Sequence, residues 1–146
     1  MSALKLLALD TDDLSILSTY LQDCVLKVHD LDYSARSGTF LAAVNRFVWE
    51  TAEPGASAFE RRRAALSFKR VKAVRSRGFD RTNRDAVLSL LAIRFEQAGE
   101  GPDGTVELVL AGGGAIALDV ECIEGQLADT GGAWETTSRP QHPLEG

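Results

Sequence analysis

The residues best suited to bind a charged partner lie in one arginine-rich segment, which runs from Arg61 to Arg84. This segment holds ten of the 16 lysines and arginines of the chain and a single acid, Asp80. Its formal charge is therefore +9, whereas the rest of the chain carries −14. A guanidinium can donate two hydrogen bonds to one phosphate or carboxylate, so several on one face would bind an anionic partner. The predicted binding residues are Arg61, Arg62, Arg63, Lys69, Arg70, Lys72, Arg75 and Arg77.

The same segment has a purely structural interpretation, which stays open. Neighbouring residues of a strand point to opposite faces. The cations could therefore be spread over both faces, where they would pair with acids elsewhere or protect an edge strand from aggregation. The net charge of −5 and the lack of interleaved aromatic side chains disfavour nucleic acid as the partner. The leading hypothesis is a noncatalytic binding module whose anionic partner is another protein or a second copy of the chain.

His29 is the one residue that suits acid-base chemistry, because Asp30 and Asp32 follow it closely and His142 lies in an aperiodic tail. A strand would place His29 and Asp30 on opposite faces, which weakens a direct pair. The alternative function is a small enzyme with its site at the mouth of a barrel near His29. The leading hypothesis assigns no catalytic residue and no cofactor.

Other patterns that could hold a ligand have simpler explanations. Gly112–Gly114 lacks the lysine of a P-loop and lies between two alternating segments, which predicts a hairpin turn. Asp10 and Asp13 are spaced like a helix capping box, so no metal site is predicted there. Cys24 and Cys122 lack metal-ligand spacing and are predicted to be free thiols.

The elements that would position these residues begin with a helix capped by Asp10, whose leucines recur at helical spacing. From Cys24 the period changes to two, which predicts strands. The parity of the apolar residues changes close to Asp30, where we expect a bulge or bend, and Ser37–Gly38 forms a turn. Thr51 to Glu60 is predicted to be a loop.

The second half of the chain continues the strand pattern. The arginine-rich segment fits two strands or one bent strand. Residues 86–98, AVLSLLAIRFEQA, are apolar on both parities at first, which predicts a central strand covered on both faces. Residues 105–121, TVELVLAGGGAIALDVE, predict a β-hairpin with one solvent-exposed face. Ile123 and Leu127, four residues apart, predict a short closing helix.

Together these elements predict an α+β domain with about seven mostly antiparallel strands in a bent sheet or partly closed barrel. A helix would precede the strands and a short C-terminal helix would follow them. This order, from Cys24 to Asp129, resembles the pleckstrin-homology-like superfold, in which the C-terminal helix plugs the barrel. A flatter sheet with both helices on one face is the alternative. Residues 1–129 would form one domain and residues 130–146 a loosely ordered tail, in which Trp134 could dock back.

The amino-acid composition indicates the general class of protein. A hydrophobic content of 45% and a charged content of 25% are ordinary for a globular domain. The sequence has no apolar run of roughly 20 residues that could cross a bilayer, and its first apolar stretch is too short for a secretory signal. We therefore expect a soluble cytoplasmic protein that does not bind membranes.

Three segments carry a resemblance to a known family: LQDCVLKVHDL, DAVLSLLAIRFE and LAGGGAIALDVECIE. They resemble a small family of uncharacterised proteins, a domain of unknown function found mainly in alphaproteobacteria. The resemblance spans nearly the whole chain up to the tail. It implies no known activity, substrate or catalytic residue.

Overall fold

The structure, a computed structural model, describes residues 4–48 and 59–136, with residues 59, 60 and 131–136 described for the backbone alone. Within these residues the chain forms one α-helix and ten β-strands. The elements are β1 Lys5–Ala8, α1 Thr11–Leu21, β2 Val25–Lys27, β3 Leu31–Ser34, β4 Thr39–Phe47, β5 Phe59–Phe68, β6 Val71–Arg77, β7 Val87–Gln97, β8 Gly104–Leu110, β9 Ala115–Val120 and β10 Gly125–Thr136. The predicted mostly antiparallel sheet and the N-terminal helix are confirmed, but the predicted number of seven strands is too small.

All strand pairs in the described residues are antiparallel. The sheet runs in the order β1-β10-β5-β4-β2-β7-β8-β9-β6, and β3 pairs with β4 beside this path. β2 joins the two halves, because it pairs with β4 on one side and with β7 on the other. The sheet does not close, since β1 and β6 each end it with one unpaired edge among the described strands. The resemblance to the pleckstrin-homology-like superfold stays a prediction.

The N-terminal helix α1 begins where the acids predict. Asp10 is its N-cap, and the Asp10 carboxylate accepts a hydrogen bond from the Asp13 backbone N–H at 2.8 Å. Leu14, Leu17 and Leu21 form its buried stripe. The helix packs on the sheet next to β7, where the Ile93 N–H donates to the Ser18 hydroxyl at 2.9 Å. These contacts explain Asp10 and Asp13 as capping residues.

The predicted C-terminal helix is wrong, because Gly125–Thr136 is strand β10. Ile123, Gly125 and Leu127 are buried at every second position, which is the period of a strand. Leu127 lies opposite Leu66 of β5 in the ladder. The spacing of Ile123 and Leu127 fits both a helix turn and a strand, and pairing with β1 and β5 decides for the strand. The β10 backbone continues past Asp129 to Thr136, and residues 137–146 lie outside the described ones.

The chain bends at two places where the sequence predicts an interruption, close to Asp30 and within the arginine-rich segment. Near Asp30, a 3-10 turn over Val28–Asp30 separates β2 from β3. Between β5 and β6 the chain bends at Lys69 and Arg70, which gives two strands. Most of the predicted loop at 51–60 lies in residues 49–58, outside the described part, and β5 begins at Phe59.

The glycine run is a hairpin turn, as predicted. β8 and β9 pair in register and are joined by a 3-10 turn over Ala111–Gly113. Gly112 has a φ of 85°, a left-handed value that favours glycine. Along β8, buried residues alternate with half-buried ones, so the hairpin has one wetter face.

The apolar side chains meet in one core, which includes the stripe of α1 and inward residues of both halves of the sheet. β7 lies centrally between β2 and β8, but Val87 and Leu91 are exposed, so β7 is not covered on both faces as predicted. No helix in the described residues is long and apolar enough to cross a membrane.

Candidate functional site

The eight predicted binding residues do not share one face. Arg61 and Arg62 lie at one end of β5, where the two residues are 0% and 8% exposed. Arg63 is partly exposed on the same strand. The remaining five, Lys69, Arg70, Lys72, Arg75 and Arg77, are exposed on the bend after β5 and on β6. The predicted cluster therefore divides into a buried part and an exposed part.

The buried part centres on Asp129, in β10. The Arg46 guanidinium donates from Nε to Asp129 Oδ1 at 2.9 Å and from Nη2 to Oδ2 at 3.1 Å. Arg62 Nη1 lies 3.9 Å from Asp129 Oδ2, and the Leu4 N–H donates to the same oxygen at 2.8 Å. The side chains of Arg46 and Asp129 are each 1% exposed. This fork of two hydrogen bonds in the interior is a structural ion pair, which anchors β10 to β4.

Two groups in this buried region, the Asp129 carboxyl and the Cys24 thiol, have shifted pKa values. Burial would raise the pKa of Asp129, but the hydrogen bond and charge of Arg46, with the Leu4 N–H, hold that pKa below the usual aspartate value. Asp129 is therefore a carboxylate at neutral pH. Burial raises the pKa of the Cys24 thiol to about 12. Cys24 and Cys122 are both free, and Cys24 is buried, so its thiol is not available as a nucleophile.

His29 and Asp30 are neighbours in space, contrary to the prediction that they lie on opposite faces. The 3-10 turn over Val28–Asp30 brings His29 Nε2 to 3.7 Å from Asp30 Oδ1. Asp30 also accepts the Lys27 N–H at 3.2 Å and lies 3.6 Å from Arg63 Nη2. The Asp30 carboxylate therefore caps the 3-10 turn and also lies close to the Arg63 guanidinium. The enzyme hypothesis near His29 stays a prediction.

On β6, the exposed arginines are paired with acids of the neighbouring strands. Arg75 Nη2 donates to Asp119 Oδ1 at 2.6 Å, and Arg77 Nη2 lies 3.5 Å from Glu107 Oε2. Thr105 also donates to Asp119, at 3.0 Å. The hydrogen bond from Arg75 lowers the pKa of Asp119 most, and burial opposes it. Pairs this exposed are worth little, so these cations mainly balance acids on β8 and β9.

The bend between β5 and β6 forms a corner where several cations meet. We call Arg36, Lys69 and Lys72 the cationic corner. Arg36 comes from the turn between β3 and β4, and the two lysines flank Arg70. Backbone hydrogen bonds hold the corner: the Val71 N–H donates to Gly38 O and the Lys69 N–H to Glu124 O, both at 2.9 Å.

Arg70 lies at this bend, and its side chain is paired with two acids. Its φ is 61°, a left-handed value that costs an ordinary residue about 1–2 kcal/mol. Its Nε lies 3.3 Å from Glu124 Oε1, and its Nη1 lies 3.8 Å from Glu121 Oε1. The Glu121 N–H donates to Arg70 O at 3.0 Å. Arg70 therefore neutralises the two acids of the corner in part.

The cationic corner surrounds a concavity of about 670 Å³, into which Tyr33, Glu121 and Glu124 also project. Within the described part of the chain, Arg36, Lys69 and Lys72 have no carboxylate within 4 Å. Lys69 and Lys72 belong to the predicted set, whereas Arg36 does not. Its position beside the Ser37–Gly38 turn was visible in the sequence, but its proximity to the lysines depends on the contact between Gly38 and Val71.

Comparison with known proteins gives a family and nothing more specific. Residues 4–142 match the family model described as "Protein of unknown function (DUF2948)", so the chain belongs to this family. The chain has no match among curated proteins and none among solved structures.

Proposed function

We propose that this member of a family of unknown function is a noncatalytic interaction module that binds an acidic segment of a protein partner at the cationic corner. One observation carries the proposal. Arg36, Lys69 and Lys72 gather at one concavity, and none of the three has a carboxylate within 4 Å among the described residues. A carboxylate of another chain could enter without displacing one already bound.

The chemistry of the corner favours an acidic protein segment over a nucleic acid. Glu121 and Glu124 lie in the same concavity and would repel a continuous row of phosphates. A peptide with separated carboxylates can place them on the three cations and avoid the two glutamates. The net charge of −5 also opposes the approach of a long polyanion.

Fluorescence anisotropy with a labelled peptide whose glutamates are separated by neutral residues tests this proposal on the full chain. We expect binding at low salt that weakens as salt rises, since the Debye length shortens to about 8 Å at 0.15 M ionic strength. The triple variant Arg36→Gln/Lys69→Gln/Lys72→Gln should bind at least about tenfold more weakly, which corresponds to about 1.4 kcal/mol.

The matched control is the triple variant Arg75→Gln/Arg77→Gln/Arg94→Gln, which changes the net charge by the same amount on β6 and β7. It should bind within about threefold of the unmodified chain, because Arg75 and Arg77 already have acid partners. Equal losses in the two triple variants, or no binding of the peptide at low salt, would overturn the proposal. Heparin and duplex DNA serve as further probes, and tighter, salt-sensitive binding of DNA would reassign the surface to nucleic acid.

A second copy of the chain is another possible source of the acidic segment, because the residues outside the arginine-rich segment carry a formal charge of −14. Light scattering over a range of concentrations distinguishes this case. A dimer that the corner variant dissociates and the control variant keeps would identify the partner as a second copy. A strict monomer that still binds the glutamate peptide would leave a different protein as the partner.

A further inference from the structure

A second concavity lies between β3 and β6, the two strands with one unpaired edge in this region. β3 pairs only with β4 and β6 only with β9 among the described strands. The two strands meet at one end, where the Tyr33 hydroxyl donates to Val71 O at 3.0 Å. Near the other end, the turn before β3 contacts the connection that follows β6, where the His29 N–H donates to Arg84 O at 3.0 Å. Hydrogen bonds therefore hold both ends of the gap between the strands, and this gap opens into a cavity of about 360 Å³.

The inner surface of this cavity is apolar. Leu31 and Tyr33 lie opposite the buried residues Ala42 and Phe40 of β4, so their side chains point inward. Val74 and Ser76 of β6 lie opposite buried Leu118 and Ile116 and point inward for the same reason. Asp32 alternates with Leu31 and Tyr33 and is exposed, and it also borders the cavity as an acidic residue. The apolar lining consists of Val28, Leu31, Phe40, Val74, Phe79 and Ile116.

Part of this apolar lining still contacts solvent. Leu31, Val74 and Phe79 pack against the core but are only partly buried. Val28, Phe40 and Ile116 form the buried floor beneath them. The volume is within the range of pockets that hold small organic ligands, and such pockets are mostly apolar with a few polar groups. A ligand with an apolar body would cover these three half-buried side chains.

The rim of the cavity carries two arginines, Arg81 and Arg84, on the connection between β6 and β7. Within the described residues neither guanidinium has a carboxylate within 4 Å or a hydrogen-bond partner. The connection is held in shape by Asp80, whose carboxylate accepts the Thr82 N–H at 2.9 Å and the Thr82 hydroxyl at 2.6 Å. Asp80 is thus engaged locally, beside Arg81, and leaves both guanidiniums available at the rim.

We propose that this cavity binds a small amphipathic carboxylate, with its apolar body against Leu31, Val74 and Phe79 and its carboxylate on Arg81 and Arg84. A guanidinium fits a carboxylate with two parallel hydrogen bonds. The Ser76 hydroxyl lines the same cavity and is a further polar group for the head of the ligand.

The charge of the rim favours a head group with one negative charge. Asp80 and Asp85 flank the two arginines in the sequence, so residues 80–85 are formally neutral. A phosphate with nearly two charges would be repelled more by these aspartates than a carboxylate would. The site is separate from the cationic corner and does not depend on the function proposed there, although Tyr33 borders both concavities.

NMR titration of the full chain with octanoate tests the proposal, with 1-octanol and acetate as probes of the tail and the head group alone. We expect saturable shifts of Leu31, Val74, Phe79 and Ile116 with octanoate at concentrations up to about 10 mM, where a ligand of this size still fills a weak site. Octanol should bind at least about tenfold more weakly, because it lacks the charge-assisted hydrogen bonds, and acetate should cause no saturable shift. The absence of shifts with octanoate would overturn the proposal.

Two variants locate the site. Arg81→Gln/Arg84→Gln should weaken octanoate at least about tenfold, whereas the matched double variant Arg75→Gln/Arg94→Gln should leave its affinity within about twofold. Ser76→Leu places a larger side chain in the cavity and should abolish the shifts in a chain that thermal unfolding shows to be folded. Unchanged affinity in both Arg81→Gln/Arg84→Gln and Ser76→Leu would overturn the proposal, because the probe would then bind elsewhere. Anionic phospholipid vesicles are the last probe. Binding to vesicles without binding to free octanoate would contradict a small-molecule site.

Discussion

Two groups of arginines that are close in the sequence have opposite environments in this protein. The side chain of Arg62 is 9% exposed beside the Arg46–Asp129 pair, whereas the side chain of Arg70, only a few residues later, is 59% exposed beside Glu121 and Glu124. Both are within 4 Å of a carboxylate. The comparison teaches that a charge cluster in a sequence does not define a surface, because one strand can turn some of its cations into the core.

Loss of a charge partner changes the free energy of unfolding differently in the two environments. Removing two charges from water costs several kcal/mol each, so a buried pair is stable only if each charge keeps its partner. Asp129 satisfies this condition through the fork from Arg46 and the Leu4 N–H. An exposed pair is solvated with or without its partner, so its loss costs little. The exposed cations are therefore free to exchange partners, which a binding surface requires.

The largest effect is expected for Asp129→Asn. This change keeps the shape of the side chain and removes the charge opposite Arg46, whose side chain is 1% exposed. The free energy of unfolding should fall by about 3–5 kcal/mol, because the variant removes the buried carboxylate charge that Arg46 and Arg62 face. Urea unfolding followed by circular dichroism measures this change. The double variant Arg46→Met/Asp129→Leu should recover much of the loss, and a loss below about 1 kcal/mol for Asp129→Asn would contradict the importance of this pair.

A smaller effect is expected from acid. The pKa of Asp129 is lower in the folded chain than in the unfolded chain, so the unfolded chain binds more protons as the pH falls below about 4. The stabilisation from Asp129 is fully present above that pH and is lost as the pH falls through the folded pKa. The difference in unfolding free energy between the unmodified chain and Asp129→Asn should therefore stay constant down to about pH 4 and shrink below that pH. Paired urea titrations at several pH values check this, and a difference that is still constant below that pH would show that the charge of Asp129 is not responsible.

The smallest effect is expected for the exposed pair on β6 and β9. Arg75→Gln removes the 2.6 Å hydrogen bond to Asp119, but Arg75 is 62% exposed. The free energy of unfolding should fall by about 0.2–1 kcal/mol, and less at high salt. The same urea assay measures it, with Arg94→Gln as a control for an exposed cation of β7. A loss as large as that of Asp129→Asn would erase the distinction between the two environments.

Much of the fold could be predicted from local patterns. The cap of α1 at Asp10 and the hairpin of β8 and β9 are confirmed, since each depends on residues close together in the sequence. The C-terminal strand was predicted as a helix because Ile123 and Leu127 fit both periods. Only the ladder with β1 and β5 distinguishes them, and the nearest of these partners is more than fifty residues away.

Less of the candidate site could be predicted. Lys69 and Lys72 were identified by residue type, but Arg36 joins them only because the β3–β4 turn touches the start of β6 through Gly38 and Val71. The burial of Arg61 and Arg62 was not visible either, because the alternation of a strand tells which residues share a face and not which face is covered. Arg81 and Arg84 lay in the basic segment, but the cavity beside them is formed by residues from β3, β4, β6 and β9.

Neighbours along the chain were enough to predict the start of the first helix, the β8–β9 hairpin and the residues that share a face within these strands. The pairing of Arg46 with Asp129 across a separation of 83 residues, and the division of the arginines between core and surface, follow from how distant strands pack. The environment of a charge depends on what packs against it from those strands, and period-two alternation carries no information about that partner.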